Sequence, residues 1–510
     1  MPKAAFPRSS PSPRRMTLGR FRKAILLAGG SAAVLVAGLV GATNLVLRSD
    51  WLSRQINSDP DSLFVAYTGA RSFSPGQLRF DTLVLRSRDS NVEWEARLEG
   101  VTLRVRLFDL PRRRLRAESV RADALSFRLR ERLERRDATP ARLARYPPIT
   151  GFAGPPILGP PAPAAPPGDP WTVVVHDLSV KLLREVWIDS WRWTGEAGLT
   201  GGFSLHPGVA AEVFPAEIAV LEGTLHWGKE AVSSGMTGSV RASIQRFVTH
   251  SYPGNDVWKI VSGTASLRGS LDTLAFLSPA GGGPHLAPGG AGTVRVRVAL
   301  REGRGSARLD AETPAVIVRL GGRTVRGEVH ADLVARPIDF PGGRIDLDGS
   351  RVGLHGWSVE GSSGKAWGGA LELPKARLGL AAGSCDASLS VRLGDGRPLV
   401  ALLSGPPRWA AGLLDLRDLE ASGHLHASRR LLALSAARVE AGTFSIDGDW
   451  RAAEGRYWGA LLVRRGALSL GVGLGGSGTS LHLARAQDWF AGEGRPGGLR
   501  TDRPGLPGGQ

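Results

Sequence analysis

The sequence contains very little cysteine, because Cys385 is the only one among its 510 residues. A single thiol excludes an intrachain disulfide and any metal site built from several cysteines. Lysine is also scarce, since only seven of the 65 basic residues are lysines and the others are arginines. After the first fifty residues the chain has no run of 18 apolar residues, which limits it to one membrane-spanning helix, at the N-terminus.

Motifs for catalysis and metal binding are missing as well. The chain has no HExxH or GxSxG motif, and its carboxylates are scattered without a marked pair. His424 and His426 lie two residues apart, which places both imidazoles on one face of a strand, but no third ligand follows at a suitable spacing. We therefore predict no enzyme activity, catalytic residue, cofactor or metal site, and we interpret the two histidines as facing solvent.

The residues that are abundant favour a large β-rich body. Apolar residues make up 42% of the chain, and the 68 glycines and 34 prolines favour turns over long helices. The formal net charge is +18, and residues 97–136 alone hold 13 arginines against six acidic residues. We nevertheless predict no nucleic-acid partner, because the N-terminal segment would export the body from the cytoplasm.

The first fifty residues predict a membrane anchor. Residues 1–23 carry seven basic residues and no acidic one, and the 24 residues from Ala24 to Leu47 are uncharged. A helix of that length spans a hydrocarbon core of about 30 Å, and its basic flank stays in the cytoplasm. The competing interpretation is a cleaved signal peptide, for which Val40-Gly41-Ala42 is an acceptable cleavage site, although the apolar stretch exceeds a usual signal core.

Alternation with a period of two residues predicts β-strands in the body. Apolar residues alternate with arginines or threonine at 101–107 and again at 294–300. The pattern slips by one residue near Ala124, which predicts a β-bulge there. The phrases "EGTLHWG", "SGTASLRG" and "AGTFSIDG" each place a predicted Gly-Thr turn before alternating residues. The body is therefore predicted to be mainly β, with short, stacked, antiparallel strands.

Composition divides the chain into eight segments. Helices are expected only in the anchor, near 50–57, and at 130–145 and 406–416. The predicted segments are a basic cytoplasmic tail (1–23), a transmembrane anchor (24–47), an N-terminal β module (48–136), a Pro-rich linker or loop (137–170), a second β module (171–277), a Gly/Pro-rich break (278–292), a C-terminal β-repeat module (293–489) and a disordered tail (490–510).

The anchor and the stretch "RLEGVTLRVRLFDLPRRRLRAESVRADALSFRLR" resemble the AsmA-like and TamB-like envelope proteins. The resemblance rests on Gly100, Val101, Leu103, Val105, Leu115, Val120 and Leu125. It implies one inner-membrane helix followed by an extended, curled antiparallel sheet, a β-trough with an apolar inside and a wet outside. It also implies lipid transport or outer-membrane biogenesis, with phospholipid, the inner membrane and envelope assembly proteins as partners.

These observations lead to a functional hypothesis with named residues. We expect a periplasmic body that binds or conveys phospholipid without catalysis; the alternatives are a structural scaffold of the envelope or of a secretion complex, and an enzyme acting on glycan. An open groove and an ordinary closed core both fit the alternation. The candidate groove-lining residues are Val101, Leu103, Val105, Leu107, Leu125, Phe127, Val294, Val296 and Val298, and the candidate headgroup contacts are Arg112, Arg113 and Arg114.

Overall fold

The computed structural model describes most of the chain. The described residues are 34, 36–57, 60, 63–88, 91–152, 156–158, 171–206, 209–248, 251–252, 254–274, 287–320, 323–360, 366–380, 383–396, 416–428, 431–453, 456–475 and 478–492. Outside these residues lie the predicted basic tail, the first part of the predicted anchor, residues 153–155 and 159–170 of the Pro-rich stretch, most of the Gly/Pro-rich break, residues 406–415 of the expected helix and the end of the C-terminal tail.

Most of the described chain forms β-strands, and 24 of them join in one sheet. The strands are β1 (Phe64–Thr68), β2 (Arg71–Ser74), β3 (Gln77–Arg88), β4 (Val92–Val105), β5 (Arg114–Glu131), β6 (Thr172–Ile188), β7 (Trp191–His206), β8 (Ala210–Trp227), β9 (Glu230–Phe247), β10 (Val261–Leu271), β11 (Ala287–Gly289), β12 (Gly292–Arg301), β13 (Arg304–Leu320), β14 (Arg323–Asp339), β15 (Arg344–Asp346), β16 (Ser350–Val359), β17 (Trp367–Gly379), β18 (Ser384–Asp395), β19 (Arg417–Ala427), β20 (Leu431–Ala441), β21 (Phe444–Ala453), β22 (Arg456–Arg465), β23 (Leu468–Gly475) and β24 (Gly478–His482).

Helices are short and few among the described residues. Residues 36–48 are helical, and the other α-helices are Asp50–Ile56, Pro140–Leu143 and Ala486–Gly492; 3-10 helices cover Leu107–Arg112 and Gly254–Ile260. Within the part of the chain that the structure describes, no helix combines the length and the apolar character needed to cross a membrane. The predicted helix near residue 50 is confirmed, whereas the one at 130–145 is limited to a single turn.

The sheet is a meander in which nearly every strand pairs with the strands next to it in sequence. β1 and β2 both pair with β3 at one edge of the sheet. Further along, β11 and β12 both pair with β13, and β15 and β16 both pair with β14. All of these pairings are antiparallel except one, in which β5 and β6 run parallel, with Leu115 opposite Val173. The predicted mainly β, mostly antiparallel fold is confirmed.

The strands are longer than the sequence suggested. β5, β8 and β9 each have 18 residues, so the expectation of short strands is wrong for this part of the sheet. Glycines that resemble turn signals cause the difference. Gly223, for example, lies inside β8, and it is a glycine because any side chain at this position would collide with the indole of Trp193.

The one-residue slip predicted near Ala124 is present, but it takes a different form. Ala122, Ala124 and Leu125 are all buried, as a change of phase requires. The ladder between β4 and β5 keeps its register across this point, from Glu99–Ala124 to Thr102–Arg121, and Gly100 adopts a left-handed φ of 60°. The register shift falls between β5 and β6 instead, after Leu125.

Candidate functional site

One face of the sheet, called the inner face here, carries an unbroken line of apolar residues. Residues directly opposite each other on paired strands point to the same side of a sheet. From β3 to β12 this line consists of Leu83, Leu98, Leu125, Leu183, Ala197, Val220, Gly238, Leu267 and Val296. From Val294 it continues through Ala311, Ala331, Val352, Leu371, Val391, Ala421, Val439, Ile446, Val463 and Leu470.

The first part of the inner face is closed. Val101 is fully buried and Ala197 is 1% exposed, and both belong to one hydrophobic cluster built from β3 to β7. Leu47, at the end of the helix 36–48, packs into the same cluster. This part of the face is a closed core, which is one of the two alternatives that the sequence left open. It contains the predicted lining residues Val101, Leu103, Val105 and Leu125.

The second part of the inner face is open. On β12 the apolar residues Val294, Val296 and Val298 are half-buried, and the residues between them are exposed. Strands on both sides already cover the flanks of these side chains, so their remaining exposure points away from the sheet. A second layer of residues packed over the face would bury these side chains as fully as Val101 is buried in the closed part. The inner face of β8 to β23 is therefore accessible along roughly 60 Å, at about 4.8 Å per strand.

A second hydrophobic cluster borders this open part at one end of the strands. It extends from β13 to β21 and contains Trp357 and Trp367, whose rings lie 5.9 Å apart. Trp357 packs over Gly327 on β14 and donates a hydrogen bond from Nε1 to the carbonyl of Glu328, 2.9 Å away. The cluster and the half-buried apolar line beside it together form one apolar surface along the sheet.

Of the predicted lining residues, Leu107 differs from its expected setting, whereas Phe127 lies on the inner face, opposite Ala96. Leu107 was expected to continue β4, but the strand ends at Val105 and Leu107 begins the 3-10 helix. That turn contains Pro111, which has no backbone N–H, and ends at Arg113, which takes a left-handed φ of 53°. Phe127 is half-buried on β5 and stacks on Trp94, with 6.5 Å between the ring centroids.

The opposite face, called the outer face here, carries most of the charge. Cross-strand ion pairs recur along it, such as Arg184–Glu99 at 2.7 Å and Arg308–Asp332 at 2.8 Å. Seven of the 13 arginines in the stretch 97–136 are strand residues, and Arg97, Arg104 and Arg121 among them are exposed on the outer face. Arg112 and Arg113 are exposed on the turn between β4 and β5, and Arg114 is exposed as the first residue of β5.

One region of the outer face is covered, and its charges are buried. Arg88, Glu93 and Arg130 lie opposite one another on β3, β4 and β5, with ion pairs of 2.8 and 2.7 Å to the fully buried Glu93. The segment 132–152 lies over them. Arg130 donates to the carbonyl of Pro147 at 3.2 Å, which ties this segment to the sheet.

Acidic groups at the edge of this covered region titrate unusually. Burial raises the pKa of Asp189, although the backbone N–H of Glu131 donates to its carboxylate at 2.7 Å and Arg142 lies nearby. Burial and the charge of Asp189 also raise the pKa of Glu131. Burial raises the pKa of Tyr146 to about 12. The covered region therefore disfavours further negative charge.

The Asp189→Asn variant is expected to be more stable than the wild type at neutral pH by roughly 0.2–1 kcal/mol, the range for cross-strand charge pairs. A raised carboxyl pKa means that the folded state binds more protons than the unfolded state, so stability falls as pH rises through that pKa. Asparagine keeps the acceptor and tolerates the φ of 50° at this position. Thermal unfolding at pH 7 and below about pH 4 measures the gain and its disappearance.

The matched control for this variant is Asp123→Asn. The hydrogen bond from Lys181, 2.8 Å long, lowers the pKa of Asp123, so neutralising this residue removes a favourable interaction. If both variants were more stable than the wild type at pH 7, the burial of the Asp189 carboxylate would not be the cause of the gain.

The two histidines occupy the outer face, as predicted. His426 is 2.5 Å from a carboxylate oxygen of Asp386, and His424 is 3.1 Å from the hydroxyl of Ser388. The described residues contain no group of three or more His, Cys, Asp or Glu that could hold a metal ion.

Comparisons with known protein families, with curated sequences and with solved structures give no match for this chain. The geometry of the sheet is therefore the basis for the proposed function. Its main features are an apolar inner face that is closed from β3 to β7 and open from β8 onward, and a charged outer face.

Proposed function

We propose that this protein is anchored in the inner membrane and binds phospholipid along the open inner face of β8 to β23. It conveys the lipid between the inner and outer membranes, or supports outer-membrane assembly, without catalysis. The single observation that carries the proposal is the uninterrupted apolar line from Leu267 to Leu470, which is half-buried throughout. A water-exposed apolar surface of this length is a binding surface rather than an ordinary protein exterior.

Acyl chains and this surface fit each other energetically. Each methylene that leaves water for the inner face contributes about 0.8 kcal/mol. Valine, leucine and alanine repeat on every strand, so the affinity is similar at each position and a bound chain can shift along the sheet without a large barrier. The charged headgroup stays in water at the open side of the face, so binding does not require its desolvation.

The N-terminal residues support the location. The basic residues 1–23 and the uncharged residues that follow them suit a single-pass anchor with its N-terminus in the cytoplasm and the body in the periplasm. Asn44 and Leu47, at the end of the uncharged stretch, contact the sheet, so this end of the predicted anchor 24–47 belongs to the body. The trough of the proposal is the sheet itself, curled around its inner face. Envelope assembly proteins at the outer membrane are the proposed partners of its far end.

The Val294→Asp/Val298→Asp variant is expected to lose bound phospholipid. Two carboxylates on the inner face of β12 hold water where acyl chains would lie. If only two methylenes remain in water, at about 0.8 kcal/mol each, the affinity falls roughly tenfold. The measurement is the amount of phospholipid per full-length chain, purified in a mild detergent and quantified by mass spectrometry.

The control is Thr293→Asp/Ala299→Asp, which places the same charges on the outer face of the same strand, where both residues are exposed. It is expected to keep the wild-type amount of lipid. Wild-type protein that purifies without phospholipid, or equal losses in both variants, would rule out lipid binding on the inner face. A stable protein partner in such lipid-free preparations would favour the scaffold.

A further inference from the structure

The direction of the N-terminal helix indicates which end of the body is nearest the proposed anchor. The side-chain amide of Asn44 donates to the carbonyl of Ser72 and accepts from its N–H, both at 2.8 Å. Further along, Tyr67 donates to the carbonyl of Leu47 at 3.2 Å, and Asn57 bonds the backbone of Val65. The helical segment therefore runs antiparallel to β1 and β2.

Followed backward from Asn44, the helix leads to the β2–β3 turn. Eight residues of helix, from 44 to 36, cover about 12 Å, and the three strand residues from Ser72 to the turn cover about 10 Å. Residue 36 is thus about level with the turn at Gly76, so the chain enters the body at this end of the strands. The side chain of Leu45 is 73% exposed on this helix.

The β4–β5 turn lies at the same end of the body. The backbone N–H of Val105 donates to the carbonyl of Gly76 at 2.7 Å, which joins the two turns. Each turn has an exposed phenylalanine on it or next to it: Phe108 in the 3-10 helix is 91% exposed, and Phe73 on β2, three residues before Gly76, is 69% exposed. These are the two most exposed aromatic rings of the described residues.

Cationic side chains occur near both rings, and the guanidinium carbon of Arg71 is 6.0 Å from the centre of the Phe73 ring. Arg112, Arg113 and Arg114 are exposed four to six residues after Phe108, and the turn also holds one carboxylate, Asp109. Exposed aromatic residues next to arginines are the combination that suits the boundary between lipid headgroups and acyl chains. An ordinary solvated turn gains nothing from exposing phenylalanine, which costs apolar surface in water.

We propose that the β2–β3 and β4–β5 turns form a rim that docks on an anionic lipid bilayer, with Phe73 and Phe108 inserted at the interface and Arg112, Arg113 and Arg114 on lipid phosphates. The inference rests on the anchor of the proposed function. It goes beyond that function because it fixes the body's orientation: the strand ends that carry these two turns face the membrane, and the opposite strand ends, such as the turn between β8 and β9, point away from it.

The test uses the full-length chain with Cys385→Ser in nanodiscs that contain phosphatidylglycerol and phosphatidylcholine. Phe73→Cys, Phe108→Cys and the far-end control Lys229→Cys, on the exposed turn between β8 and β9, are each labelled with an environment-sensitive dye. Lipids with a nitroxide close to the headgroup are expected to quench the dye at 73 and 108, inserted about 5–10 Å deep, and to leave the dye at 229 unquenched.

A second arm removes the charges by the changes Arg112→Ala, Arg113→Ala and Arg114→Ala in the labelled Phe73→Cys chain. At about 1 kcal/mol per arginine near an anionic surface, docking is expected to weaken on the order of 100-fold, with a corresponding loss of quenching at 73. Quenching at 73 and 108 as low as at 229, in chains that remain with the nanodiscs, would overturn the rim. Chains that elute apart from the nanodiscs would overturn the anchor and the rim together.

Lipid on the inner face is measured separately in the same nanodiscs. A dye at Val296→Cys reports nitroxide lipid in the groove, whether or not the rim is docked. Quenching at 296 without quenching at 73 and 108 would therefore retain the proposed function and reject the rim.

Discussion

The Glu93→Gln variant is expected to lose about 3–5 kcal/mol of its free energy of unfolding. Glu93 is fully buried and pairs with both Arg88 and Arg130. Its removal leaves two guanidinium groups, each at least four-fifths buried at the side chain, without the charge that compensates their desolvation. Urea denaturation with hydrogen exchange of β3 to β5 measures the loss.

The control is Glu99→Gln, on the same strand and the same outer face. Glu99 pairs with Arg184 at 2.7 Å, but both side chains are substantially exposed, so the change is expected to cost less than about 1 kcal/mol. A triple change of Arg88, Glu93 and Arg130 to Met, Leu and Met removes all three charges together and is expected to be far milder than Glu93→Gln alone. Similar losses in Glu93→Gln and Glu99→Gln would show that the triad is not buried in solution.

The Val101→Asp variant is expected to lose about 5 kcal/mol, whereas Val296→Asp is expected to lose about 1 kcal/mol. Both substitutions place the same carboxylate on the inner face. At 101 the group is enclosed by the cluster of β3 to β7 and finds no water, and at 296 it reaches solvent directly. Thermal and urea unfolding of the two variants therefore distinguish the closed part of the face from the open part.

Matched Val→Ala changes at the same two positions separate packing from charge. Val101→Ala leaves a cavity in a closed core, and Val296→Ala leaves a surface in contact with water, so the first is expected to cost more. Equal costs for the two alanine variants and for the two aspartate variants would mean that the inner face has one environment throughout. The open groove would then lose its physical basis.

The alternation of side chains allowed much of the local structure to be predicted. Valines 294, 296 and 298 and the arginines between them occupy opposite faces, because the pleat of a strand leaves no other arrangement. The mainly β character and the few, short helices follow from the same pattern. The outward direction of His424 and His426 could be read in the same way.

Closure of the inner face could not be predicted, because it depends on what lies across from a strand rather than on the strand. Val101 and Val296 have the same local pattern, yet one is buried and the other half-buried. The covered charges of Glu93 and Arg130 also left no local signal, because the segment 132–152 follows β5 and folds back over the strands, which the alternation within a strand does not predict. The glycines of β8 suggested a turn, but Gly223 lies within the strand and makes room for the indole of Trp193.

The parallel pairing of β5 with β6 has a consequence for how the chain folds. The other pairings join strands that are closer in sequence, and most of them are hairpins that can form from local contacts at a small cost in loop entropy. Only the β5–β6 contact needs the chain to return along a strand of 18 residues, roughly 60 Å, before it is made. The two meanders on either side can therefore form independently, and their joining is the step that the length and stiffness of the proline-rich connection control.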